Sequence, residues 1–125
     1  MAQVTGIGGV FFRSEDPGAL TAWYAEHLDL PVDDEGYVVL RWGGDAAGST
    51  VWAPFPADTD AFAWPKDRQW MVDYRVDDLD GMLERLRRAG VAVDDGTFED
   101  ENGRFGHCWD PEGNRIQLWE PRPGM

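Results

Sequence analysis

Residues 13–34, RSEDPGALTAWYAEHLDLPVDD, and residues 75–95, RVDDLDGMLERLRRAGVAVDD, are rough copies of each other. With one residue dropped late in the second copy, Asp16 matches Asp78, Leu20 matches Met82 and Tyr24 matches Leu86. The closing Val32-Asp33-Asp34 then matches Val93-Asp94-Asp95. A chain of 125 residues fits one ordinary domain with a real core. Whatever fold it adopts must therefore use the same supersecondary unit twice.

Each copy is read as a short strand, Gly8 to Arg13 or Met71 to Val76, running into a helix. Asp16 and Asp78 stand where a side chain can accept bonds from the unpaired first amides, and Pro17 suits a first helical turn. Leu20, Trp23, Tyr24 and Leu28 follow one apolar stripe, as do Leu79, Met82, Leu83 and Leu86. Each helix is expected to pack on a sheet. Short alternating or aromatic segments follow, separated by Gly and Asp: Tyr37 to Trp42, GGDAAG, and Ser49 to Pro54 in the first half. Gly96 to Phe98, Arg104 to Trp109, DPEGN and Arg115 to Glu120 follow in the second.

PFPADTDAFAWPKD, residues 54–67, has three prolines and no period, so it reads as a connection free to cover a pocket. The expectation is an α+β chain with eight strands and two principal helices. Two modules, 1–54 and 68–125, are joined by linker 55–67.

Charge narrows the function. Eleven basic residues against 24 acidic ones give a net charge of -13, a surface that a nucleic acid or an anionic membrane would repel. MAQVTGIGG has no charged leader followed by an apolar stretch, and nowhere do about 18 apolar residues run together. A cytoplasmic protein is expected. The single cysteine, Cys108, can form no internal disulfide and reads as a small core residue.

Alternate side chains leave opposite faces of a sheet. With Asp110 to Asn114 in a turn, Trp109 lies opposite Arg115, Cys108 opposite Ile116, His107 opposite Gln117 and Phe105 opposite Trp119. Cys108, Ile116 and Leu118 then belong beneath a helix, while Phe105, His107, Trp109, Arg115, Gln117 and Trp119 share the other face. By the same test Met71, Asp73 and Arg75 oppose Val72, Tyr74 and Val76. Gly9, Phe11 and Arg13 oppose Val10 and Phe12. So many aromatics mixed with polar groups suggest a ligand cavity. The alternatives are packing against a second subunit or the linker, and a charge-compensated set for Arg13, Asp73 and Arg75. His27 falls in the polar register of the first helix and reads as solvated.

The repeated strand and helix, the VDDLDGMLERLRRAGV stretch and the closing DPEGNRIQLWEP together resemble the vicinal oxygen chelate superfamily, which includes glyoxalases, bleomycin-resistance proteins and extradiol dioxygenases. GSTVWAPFPADTD and NGRFGHCWDPEGNRIQLWEP resemble a glyoxalase-like branch of it. The resemblance covers nearly the whole chain. It implies tandem βαβββ modules whose curved eight-stranded mixed sheet encloses a cavity, with two principal helices outside and often a homodimer.

Metal-dependent members carry a His on the first strand of each half, a further ligand late in the first half and a Glu on the last strand. Here those positions fall on Gly9, on Met71, near Thr50 to Trp52, and on Gln117, so neither metal nor other cofactor is expected. His107, Gln117 and Asp73 are too few and unconverged a set to rebuild the site. Gln117 also removes the most familiar general base of that chemistry.

Three functional readings remain open. The first is a metal-independent cavity that binds a small aromatic or planar molecule, for sequestration or detoxification. Trp52, Trp109 and Trp119 would stack on the ligand, Arg13 or Arg75, His107 and Gln117 would orient it, and Phe11, Met71, Asp73, Phe105 and Arg115 would complete the wall. The second is a lyase or isomerase with His107 as catalytic proton shuttle and an Arg stabilising enolate charge. The third makes the aromatic face mainly a dimer interface.

Overall fold

Both copies of the repeated unit fold as a strand feeding an Asp-capped helix. The structure, a computed structural model, describes residues 2–28, 30–42, 48–62 and 68–125, without the side chains of His27 and Leu28. Most of GGDAAG, the last part of the linker and the expected setting of His27 thus lie outside the described residues.

The elements are β1 (Val4–Ser14), α1 (Pro17–Leu28), β2 (Val38–Arg41), β3 (Ser49–Pro56), β4 (Trp70–Val76), α2 (Leu79–Arg88), β5 (Phe98–Asp100), β6 (Gly103–Trp109) and β7 (Arg115–Pro121). The strands form one curled mixed sheet in the order β2-β3-β1-β4-β7-β6-β5. β1 and β4 pair antiparallel at its centre, with β3 parallel beside β1 and β7 parallel beside β4. The duplication is thus visible as a near-symmetry of the sheet.

Among the described residues there are seven strands rather than the expected eight. In the second half Val93 bridges to Cys108, and residues 94–102 leave room for β5 before β6 begins. In the first half Val32 bridges directly to Val38 at the start of β2. Asp33 closes the turn between them, accepting from the amides of Glu35 and Tyr37 at 2.9 Å each. That tight turn leaves no chain from which to build a counterpart of β5.

α2 starts as the sequence indicates. Gly81 donates its amide to Asp78 Oδ1 at 3.0 Å, and Leu79 donates to Glu120 Oε1 of β7 at 2.8 Å. It ends at Gly90, whose φ of 81° suits only glycine without strain, while Val91 N–H bonds back to Leu86. Leu79, Met82 and Leu83 are buried against Val76, Cys108 and Leu118.

α1 is capped by Asp16, which accepts from Ala19 at 3.0 Å, but its inner face differs from the expected stripe. Thr21 is buried, whereas Trp23 is 51% exposed and meets Tyr24 edge-on. Adjacent residues lie about 100° apart on a helix, so Trp23 and Tyr24 cannot both face the sheet. Tyr24 does, packing on Trp52. No described helix is long and apolar enough to cross a membrane.

The closing hairpin takes the register read from sequence: Phe105 opposite Trp119, His107 opposite Gln117, Cys108 opposite Ile116 and Trp109 opposite Arg115. Asp110 Oδ1 sets the turn by accepting from Glu112 and Asn114, both at 2.9 Å.

Candidate functional site

The concave face of the sheet encloses a cavity of about 840 Å³. Its wall takes Phe11 from β1, Met71 and Asp73 from β4, Phe105 and His107 from β6, and Arg115, Gln117 and Trp119 from β7. All were placed on this face by strand parity. Two backbone registers align the aromatic side: β5 sets Phe98 beside Phe105, and β7 sets Trp119 beside Phe105. The rings form a graded stack. Phe98 and Phe105 lie 4.7 Å apart at 12°, and Phe105 and Trp119 lie 6.1 Å apart at 1°. Trp119 is held in place by its indole N–H, which donates to Asn102 O at 3.0 Å.

A second part of the wall is apolar. Phe11, Ala53, Phe62 and Met71 form a buried cluster, with Phe55 and Ala61 packed against it. The described part of the linker therefore helps to shape the pocket. Arg13 ties it down, donating from Nη1 to Ala57 O at 3.0 Å and Thr59 O at 2.9 Å, and from Nε to Arg68 O at 2.6 Å.

His107 and Gln117 form a buried pair with 3.1 Å between their Nε2 atoms. An amide nitrogen cannot accept a hydrogen bond. Gln117 therefore donates, and the imidazole is neutral with its proton on Nδ1. Burial, assisted by the nearby Arg115 charge, lowers the His107 pKa to about 4. Arg115 itself is engaged. It donates to Asp94 Oδ2 at 2.5 Å and Ala61 O at 2.6 Å, and its guanidinium covers the Trp109 ring at 5.4 Å.

Asp73 is the least satisfied polar group of the site. It is 2% exposed, and its Oδ1 has no hydrogen-bond partner among the described residues. Burial raises its pKa well above the usual carboxylate range, and the Arg75 charge pulls it only partly back. The Gly8-Gly9 step of β1 makes room for it at a register irregularity between Ile7 and Gly9. A Cβ on Gly8 would collide with Asp73 Oδ1.

Four residues expected at the pocket are not among those lining it: Arg13, Trp52, Arg75 and Trp109. Arg13 serves the linker. Trp52 pairs with Val10 in the sheet and packs against Phe12 and Tyr24, on the side covered by α1. Arg75 donates to Ser49 O at 3.3 Å and Met125 O at 2.9 Å, between the Trp42 and Trp119 rings. Trp109 ends β6, beneath Arg115.

The cavity is also lined by residues outside the expected set, among them Asp33, Asp34, Glu35, Asp94, Phe98 and Met125. A signal for two of them was present. Asp33 and Asp94 occupy matching positions in the two copies, and both reach the cavity. For Met125 no local pattern could have shown that the chain end returns to Arg75 and Ser49.

The metal set of the resembled superfamily does not fit these residues. At Gly9 a side chain would meet the Val51 carbonyl oxygen, 2.6 Å from the Cβ position. Met71 is buried in the apolar cluster, and Gln117 is committed to His107. Among the described residues no three His, Cys, Asp or Glu side chains are grouped as a metal site.

A family model described as a glyoxalase-like domain matches residues 9–119. Methylmalonyl-CoA epimerase from Mycobacterium tuberculosis is 24% identical, with a TM-score of 0.64, covering 96% of this chain and 90% of that one. A methylmalonyl-CoA epimerase in complex with methylmalonyl-CoA and NH4+ is 16% identical, with a TM-score of 0.75, covering 98% and 99%. A glyoxalase/bleomycin resistance protein/dioxygenase superfamily member from Vibrio splendidus 12B01 is 12% identical, with a TM-score of 0.58, covering 96% and 99%. At such identities the likeness concerns the fold. No curated protein sequence matches the chain.

Proposed function

This chain belongs to the glyoxalase-like domain family, with a vicinal oxygen chelate fold, and on that premise we propose that it binds a small aromatic or planar molecule in its cavity. The binding needs no metal or other cofactor and serves sequestration or detoxification of the bound compound. The observation that carries this reading is the parallel Phe98–Phe105–Trp119 stack along one wall of a cavity of about 840 Å³. A volume of that size suits a drug-sized molecule, and the aromatic wall offers it a large apolar surface to pack on.

The lyase or isomerase alternative rests on His107, and its geometry lends that role little support. The Nε2 lone pair is occupied by Gln117, and a pKa of about 4 lies far from the operating pH that favours a proton shuttle. The acidic lining also suits a CoA thioester poorly, since such a polyanion would approach Asp33, Asp34 and Glu35 at the rim. We further propose a cytoplasmic homodimer, with the chain organised as modules 1–54 and 68–125 around linker 55–67.

The test is a fluorescence titration with a panel of planar aromatic compounds, followed by recovery of the ligand. Quenching of tryptophan emission with the compound recovered unchanged is the expected result. Phe105→Ala should weaken binding up to about tenfold, the scale of one lost aromatic contact. Conversion of the compound to product would replace binding by the enzymatic reading.

A further inference from the structure

The charge of the cavity is one-sided. Among the described lining residues, Asp33, Asp34 and Glu35 stand on the turn before β2, and Asp94, Asp100 and Glu101 follow α2, with Asp73 inside. One guanidinium, Arg115, faces these seven carboxyls, and Asp94 already pairs with it. His107 adds no charge. A recess lined in this way concentrates cations and repels anions.

Asp73 is an independent observation pointing the same way. Its carboxyl is almost fully buried, lines the cavity and leaves Oδ1 without a partner among the described residues. The nearby cation, Arg75, directs Nη1 to the carbonyls of Ser49 and Met125 instead. A Cβ on Gly8 would meet Asp73 Oδ1 and also, at 2.9 Å, Trp119 Cε3, so carboxyl and indole edge flank one point. A buried carboxyl oxygen with no donor is costly to keep. A ligand N–H⁺ would supply both the missing donor and the missing charge.

We propose that the ligand class of this cavity is a planar aromatic molecule bearing a protonated nitrogen, with its ring on the Phe98–Phe105–Trp119 wall and its N–H⁺ donated to Asp73. This deepens the aromatic-ligand reading and rests on it. Burial favours the neutral Asp73 carboxyl in the free protein. As the N–H⁺ binds, that carboxyl releases its proton to solvent and becomes the counter-ion that selects charge, while the outer carboxylates steer the cation inward.

Three naphthalene probes test the assignment by titration calorimetry at pH 7: naphthalen-2-ylmethylammonium, naphthalen-2-ylmethanol and naphthalene-2-carboxylate. The ammonium is expected to bind about tenfold tighter than the alcohol, the scale of one charge-assisted hydrogen bond, and the carboxylate weakest. In Asp73→Asn the preference for the ammonium over the alcohol should be lost. A second variant uses only exposed positions, Asp33→Asn with Asp34→Asn and Glu35→Gln. It should lower ammonium affinity by roughly threefold at low salt and not at high salt. The proposal is overturned if the carboxylate matches the alcohol, or if the ammonium preference survives in Asp73→Asn. Alcohol binding without any ammonium preference removes the charge selection alone. No binding by any probe removes the aromatic-ligand reading together with it.

Discussion

His107 shows how one residue's role depends on a partner across the sheet. Its folded pKa of about 4 lies below the ordinary 6.5, so the unfolded chain takes up the proton first. Stability therefore falls as pH drops from about 6.5 towards 4. Between pH 7 and pH 4.5 the protein should lose about 2 kcal/mol more than His107→Gln, which keeps a polar group but cannot titrate. Urea unfolding of both proteins at the two pH values measures this, and parallel losses would reject a buried neutral imidazole. Strand parity was enough to bring His107 to Gln117, because a short turn sets their register. It could not place Trp52, whose face depends on a parallel pairing with β1. Nor could it show that Arg13 reaches the carbonyls of Ala57 and Thr59 in the connecting segment and of Arg68 just after it. A long, flexible cation finds acceptors that only the folded chain brings near.

At the scale of elements, α2 is secured by two carboxylates of different origin. Asp78 belongs to its own turn, and Glu120 comes from β7. Asp78→Ala should cost about 1 kcal/mol, as should Glu120→Ala, since each leaves one amide of the first turn without its acceptor. The double variant should depart from additivity, because both side chains serve the same helix end. Denaturant midpoints of the four proteins decide this, and strictly additive losses would show that the caps act separately. The Asp cap was legible in the sequence as a local pattern, while the contribution of Glu120 was not. Strand number was misread for a related reason. The duplication suggests two equal modules, but the Asp33 turn joins Val32 to β2 and omits one strand. Helix α1 likewise shows the limit of apolar spacing, since Trp23 satisfies the pattern yet stays outside.

For the whole molecule, the proposed dimer predicts a sedimentation mass twice the 14.1 kDa of the chain. A monomer mass at micromolar concentration would reject it. Trp119 is a poor probe of such an interface, because it is 2% exposed within its own chain. One sheet joins the two halves of the chain through β1 and β4, so heat should unfold them in a single transition. By itself the sequence determined the repeated strand-helix units, their Asp caps, the closing hairpin and which of its faces is apolar, because each depends on neighbours a few residues away. Tertiary structure alone decided that Trp52 lies beneath α1, that Arg13 and Arg75 hold backbone carbonyls, and that Asp73 is enclosed with Oδ1 lacking a donor among the described residues. Those outcomes depend on register between distant strands and on curvature of the sheet, which bring together groups that no local spacing relates.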